Sequence, residues 1–263
     1  MKITVLTENT ACRDDLIPEH GLSLFIETGA RRILFDAGQT DAFARNAEAM
    51  GIDLGTVDFA VLSHGHYDHG GGLRRFLELN QTAPVYLRRD AFGAHFNGTE
   101  KYIGLDVSLK ESGRLIFTDD ILDLGDGITL CSKNSSERSH GFNSFGLNIR
   151  QKDRLVPDTF LHEQYLLVEE SGKRICISGC SHKGILNIIS WFQPDVLIGG
   201  FHFMKLDPAG ADAAVLEQAA RVMLNSPARY FTGHCTGTAP FDFLKDRMGS
   251  RLEAISAGAV IEV

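Results

Sequence analysis

The stretch that most constrains this chain is Val61-Leu62-Ser63-His64-Gly65-His66-Tyr67-Asp68-His69-Gly70-Gly71-Gly72. It packs His-x-His-x-Asp-His into six residues. Imidazole and carboxylate are ligands suited to zinc, and imidazole also suits iron. Spacing matters as much as residue type. His64 and His66 are two apart, so an extended backbone points them to the same side, whereas the adjacent Asp68 and His69 diverge. One short loop can therefore offer two ligands to one ion and two to a neighbour. The apolar run Phe59-Ala60-Val61-Leu62 predicts a buried strand leading in, and Leu73 to Leu79 predicts a helix leading out. A strand end feeding a Gly-rich loop is where an α/β sheet places ligand sites.

Other potential ligands lie beside predicted strands: His162 before one, and Cys180 with His182, His202 and His234 just after others. Sites built from strand ends converge in space even when far apart in sequence. Any one of these histidines has an equally ordinary use as a hydrogen-bonded structural residue.

The chain of 263 residues carries a net charge of −8 and a pI of about 5.7. That balance disfavours the broad basic face of a nucleic-acid binder. No apolar run is long enough to span a membrane. The N-terminus Met1 to Leu6 predicts a strand, not a signal peptide. The five cysteines show no framework spacing, which fits free thiols in a reducing cytoplasm.

Along the chain, Leu22–Glu27 and Arg32–Asp36 predict a hairpin, and Asp41–Met50 a helix with Thr40 as N-cap. Leu115–Phe117, Ile121–Leu124 and Gly127–Cys131 predict short antiparallel strands. Residues 89–113 show no sustained period and are taken as an insertion near the site; residues 132–160 are equally irregular. Tyr165–Glu170 and Arg174–Ser178 predict a hairpin, Ser181 a cap for the helix Gly184–Phe192, and Asp195–Gly200 a buried strand. Ala211–Leu224 predicts a helix, Arg229–Thr232 a strand, Phe241–Met248 a helix capped by Thr238, and Ala259–Ile261 a closing strand. With no linker and no repeat, residues 1–263 read as one domain.

His64-Gly-His66-Tyr-Asp68-His69 resembles the signature of the metallo-β-lactamase superfamily, and the resemblance runs over nearly the whole chain, including Asp36-x-Gly38. It implies an α/β fold, a four-layer αβ/βα sandwich of two mixed β-sheets flanked by helices. It also implies a ligand set of His64, His66, Asp68, His69, His162, Cys180 and His234, with Cys180 where the family usually has Asp. His20-Gly-Leu-Ser23, His162-Glu-Gln164, Ser178-Gly-Cys-Ser-His182-x-Gly184, Gly199-Gly-Phe-His202 and Thr232-Gly-His-Cys-Thr-Gly237 are similar to the subgroup of dihydropterin-ribofuranosyl-aminobenzene phosphate synthase-like hydrolases.

The expected cofactor is two Zn²⁺ per chain, with Mn²⁺ or Fe²⁺ as alternatives. The expected reaction is attack of a metal-activated water on a small phosphorylated or ester-bearing metabolite. Asp68 is expected to bind an ion and orient the water. His182 is expected to act as a general acid rather than a ligand, and His202 to contact substrate; each could instead support a ligand through a hydrogen bond. Lys183 could pair with an anionic substrate or be a solvated surface lysine. Thr236 and Gly237 could present amides to a phosphate or serve as an ordinary helix cap. The competing readings are an iron-dependent redox enzyme on the same fold and a non-catalytic metal-binding module.

Overall fold

A computed structural model describes all 263 residues. The chain runs β1 (Lys2–Thr7), β2 (Ser23–Glu27), β3 (Arg32–Phe35), α1 (Ala42–Ala49), β4 (Phe59–Val61), α2 (Tyr67–Gly70), α3 (Leu73–Leu79) and β5 (Val85–Arg88). It continues through β6 (His95–Asn97), β7 (Lys101–Tyr102), β8 (Leu115–Thr118), β9 (Ile121–Gly125), β10 (Ile128–Cys131), β11 (Leu147–Gln151) and β12 (Arg154–Pro157). The last part holds β13 (Tyr165–Glu170), β14 (Lys173–Ile177), α4 (Ile185–Phe192), β15 (Val196–Ile198), α5 (Ala213–Asn225), β16 (Arg229–Thr232), α6 (Thr238–Met248), β17 (Leu252–Ala254) and β18 (Val260–Glu262).

The apolar runs are apolar because both faces of their strands are buried. In β3, Ile33 and Phe35 face one core while Leu34 faces another. The inner core joins Ile3, Ile26, Phe35 and Val61 of one seven-stranded sheet to Leu130, Leu166, Ile177 and Ile198 of a second. The first sheet has the order β18-β1-β2-β3-β4-β5-β8 and the second β17-β16-β15-β14-β13-β10-β9. Phe43 and Ala47 of α1 and Phe76 of α3 cover the outer face of the first sheet. Ile188 of α4, Met223 of α5 and Leu244 of α6 cover the second. The result is a four-layer α/β sandwich of two mixed sheets. No helix is long and apolar enough to cross a membrane.

Two local expectations change. β8 does not join β9 and β10 in an antiparallel set; it pairs in parallel with β5 in the first sheet, whereas β9 pairs antiparallel with β10 in the second. Residues 89–113 are not featureless either. β6 and β7 pair with each other, and β6 pairs with β11, giving a small third sheet of order β12-β11-β6-β7. The two irregular segments thus complete one another and form a cap. Ile103, Leu147 and Phe160 seat that cap, with Tyr67 packed against them.

In the parallel parts of both main sheets the strands end on the same side of the molecule. β3 and β4 lead to Asp36 and His64; β14, β15 and β16 lead to Cys180, His202 and His234. The cap lies over these ends.

Candidate metal centre

The site is built from the strand ends upward, and its first determinant is Asp36. This buried carboxylate follows β3 directly, in a left-handed conformation with φ 57°. One of its oxygens accepts from the Ser63 N–H at 2.7 Å. The other lies 2.7 Å from both Ser63 Oγ and His69 Nδ1. A carboxylate can only accept, so Ser63 spends its single proton there and must itself accept from His64 Nδ1, also at 2.7 Å. Asp36 therefore sets the tautomers of two rings, leaving His64 Nε2 and His69 Nε2 with free lone pairs. Asn9 Oδ1 does the same for His234, 3.1 Å from its Nδ1.

These lone pairs face one another across very short gaps. His64 Nε2 is 3.3 Å from His182 Nε2. His69 Nε2 is 3.2 Å from His234 Nε2 and 3.1 Å from Cys180 Sγ. Asp68 Oδ2 is 3.4 Å from His234 Nε2 and 3.3 Å from His20 Nε2. The buried atoms His66 Nε2 and His182 Nδ1 have no hydrogen-bond partner. Burial, aided by neighbouring imidazoles, holds His64, His66 and His182 well below the usual imidazole range, so they stand neutral. Burial opposes ionisation of Asp68, but the surrounding histidines hold its carboxyl well below the ordinary range. Converging imidazoles, a carboxylate and a thiol are the donor set a divalent cation fits. Two groups stand out: His64, His66 and His182, and Asp68, His69 and His234. Cys180 reaches both, with its sulfur in one ligand cluster with His64 and His69 and in another with His182 and His202.

Several sequence expectations need correction. His162 lies beside His66, in a cluster with His95 and Asp158 whose atoms could hold a metal, but both its ring nitrogens are engaged within the protein. Its Nδ1 accepts the Gly65 N–H at 2.9 Å, so Nε2 carries the proton and points to Asp158 Oδ2 at 3.3 Å. His182, expected to face substrate from a helix start, lies in a cluster with His64 and His66 that could hold a metal ion. Its ring stacks on Phe160 at 4.5 Å, and its main-chain N–H donates to Glu163 Oε1 at 2.7 Å. Ser181 caps no helix; its φ is 58° and its Oγ meets Ser178 Oγ at 2.8 Å. Lys183 neither lines the cleft nor faces solvent. It is fully buried, and its Nζ donates to Ser132 O, Asn134 Oδ1 and Glu163 O at 2.6, 2.6 and 2.9 Å. Burial lowers its pKa to about 8. Thr236 is buried with its Oγ1 accepting the Phe201 N–H at 2.9 Å. Gly237 turns the chain into α6 with φ 78°. Both face a separate hollow of about 300 Å³ behind His234, not the metal cleft. His202 does line the cleft, with both ring nitrogens unpartnered.

Residues without an assigned role in the sequence reading matter here. Asp158 accepts from His95 Nδ1 at 2.8 Å as well as facing His162. His95 and Asp158 both sit in the aperiodic segments and gave no signal. Asp36 did give one, as the acidic residue directly after a buried strand.

The model of the metallo-beta-lactamase superfamily matches residues 16–234, and the chain belongs to that superfamily. It is 27% identical, over all of its length and 96% of the relative's, to a 7,8-dihydropterin-6-methyl-4-(β-D-ribofuranosyl)-aminobenzene-5'-phosphate synthase of Methanocaldococcus jannaschii. It is 30% identical to a second protein of that organism, the uncharacterized protein MJ0448, over 89% of this chain and 90% of that one. Among solved structures it superposes on Tm1679, described as a metal-dependent hydrolase of the beta-lactamase superfamily, with a TM-score of 0.84, 28% identity and coverage of 100% and 99%.

Proposed function

We propose that the chain is a metal-dependent hydrolase with a dinuclear centre, zinc in the first instance, acting on a small phosphorylated or ester-bearing metabolite. The observation that carries this reading is the meeting of two donor groups around one thiol in one cleft, the first with two buried ring nitrogens that find no hydrogen-bond partner. In it, His64, His66 and His182 hold one ion, Asp68, His69 and His234 the other, and Cys180 lies between them. A bound pair of this kind lowers the pKa of water and neutralises charge growing on an oxyanion. The chain supplies the rest. Asp68, ionised and nearly buried, can orient the water and receive its proton. His202 lines the same cleft with two unpartnered nitrogens, able to donate a proton to the leaving oxygen. The cap and the strand ends exclude bulk water from these groups.

Protein expressed with ample metal should hold close to two divalent ions per chain by elemental analysis. It should hydrolyse bis(4-nitrophenyl) phosphate or 4-nitrophenyl butyrate, lose that activity to a chelator and regain it with Zn²⁺ or Mn²⁺. Asp68→Ala should lower turnover by roughly three orders of magnitude. One ion or none, or wild-type turnover in Asp68→Ala, overturns the reading. Group transfer is a second reading, favoured by the word synthase in the name of a relative that spans the whole chain. Hydrolysis in ¹⁸O-labelled water separates the two, because only hydrolysis places label in the product.

A further inference from the structure

The metal cleft is small, about 130 Å³, well under the several hundred typical of a metabolite pocket. It can enclose a reacting group and little more, so the rest of a substrate must lie along the mouth. The mouth has an unusual charge pattern for a protein of net charge −8. Asp68 is the one carboxylate lining the cleft, and His20 and His234 already engage it. Two lysines line the same cleft, Lys101 from β7 of the cap and Lys205 from the loop after β15 of the second sheet. Neither makes an ion pair. The Lys101 Nζ reaches only the Tyr67 hydroxyl, at 3.4 Å, and the Lys205 Nζ only the Phe145 carbonyl, at 2.6 Å. Each ammonium keeps donors free. Asn97 of β6 adds an amide to the same wall.

We propose that Lys101 and Lys205, which line the same cleft from the cap and from the loop after β15, hold a second anionic group of the substrate, a phosphate or a carboxylate, while the reacting bond lies at the histidine cluster. This deepens the hydrolytic reading and rests on it for the position of the reacting bond. The anionic group is a recognition handle and is not itself attacked. The cap supplies one of the two lysines, so the cap selects the substrate while the strand ends perform the chemistry.

The test uses zinc-loaded protein and three families of ligand: alkyl monophosphates, alkane-α,ω-diyl bisphosphates and ω-carboxyalkyl phosphates, each with three- and six-carbon spacers. All carry one phosphate for the metals; only the last two carry a second anion. Affinities are read by calorimetry and as competitive inhibition of ester hydrolysis. Wild type should bind at least one doubly anionic ligand about tenfold more tightly than its monophosphate, as expected for two solvent-screened contacts. Lys101→Met with Lys205→Met should bring the affinities together, whereas Lys173→Met, a distant exposed lysine, should preserve the preference. Whichever of bisphosphate and carboxyalkyl phosphate is preferred identifies the second anion. If wild type shows no preference at either spacer, or the double variant retains it, the proposal is overturned. If no ester is hydrolysed but calorimetry shows the preference, the hydrolytic reading fails and the anion site stands.

Discussion

Gly179 shows how tightly single residues are fixed around this centre. A Cβ there would lie 2.2 Å from Ser63 Oγ and 3.0 Å from His64 Nδ1. Gly179→Ala would push Ser63 away from Asp36 and release the His64 tautomer, so it should weaken zinc binding by roughly ten- to a hundredfold, as loss of a ligand's hydrogen-bond support does. A competition titration against a chromogenic chelator measures this, and unchanged affinity would disprove the role given to Ser63. The assignment of His182 over His162 is checked the same way. His182→Ala should fall to about one ion per chain, whereas His162→Ala should keep close to two. The reverse result would restore the expectation drawn from the sequence. What bears on that expectation lies outside any spacing. Whether His162 can ligate depends on the Gly65 N–H occupying its Nδ1, a contact between residues 97 positions apart. His64, His66, Asp68 and His69 were legible because their geometry is local. Five of the eleven non-glycine residues with positive φ lie at this site: Asp36, Phe160, Ser181, His202 and His234. Strained residues gather where surrounding structure holds functional groups in place.

At the scale of elements, the cap was the least legible part. β6 is three residues and β7 two, too short for a period, and β6 finds its partner β11 some fifty residues later. The main sheets were legible because buried strands with apolar runs announce themselves, although the partner of β8 did not. Asp158 fastens the cap to the metal loop by accepting from His95 and His162. Asp158→Ala leaves two buried donors without an acceptor and should cost about 3 kcal/mol in urea unfolding of the metal-free protein. A loss within error would mean that the cap is held by its apolar contacts alone. Asp120, between β8 and β9, ties down the segment after β10. Burial disfavours its charge, but the hydroxyls of Ser132 and Ser135 and the Asn134 N–H outweigh that and bring its pKa to about 2 from 3.8. Its folded pKa is depressed, so its contribution is complete above about pH 4 and is lost as the pH falls through about 2. Allowing for its partial solvent exposure, the contribution is about 1 kcal/mol. The stability gap between wild type and Asp120→Asn should therefore be full at pH 5 and close near pH 2. A gap independent of pH would refute the assignment.

For the whole molecule, the donors come from both sheets. His64, His66, Asp68 and His69 follow β4 of the first, and Cys180, His182 and His234 follow β14 and β16 of the second. Ions bound there would stabilise the folded chain by mass action. Removing them should lower Tm by roughly 10 °C, taking about 4 kcal/mol for tight binding and 2–4 °C per kcal/mol at this size. Differential scanning calorimetry with and without chelator measures the shift, and an unchanged Tm would mean the ions make no net contribution to stability. The facing lone pairs have a further consequence. All five cysteines are free, so no covalent bond ties one half of the molecule to the other. His69 and His234 lie 165 residues apart. A shared ion would close a loop of that length as a disulfide does, but reversibly and without an oxidant. The chain's lifetime against proteases would then follow the free metal concentration around it, and a cell starved of metal would clear this protein before it could sit idle.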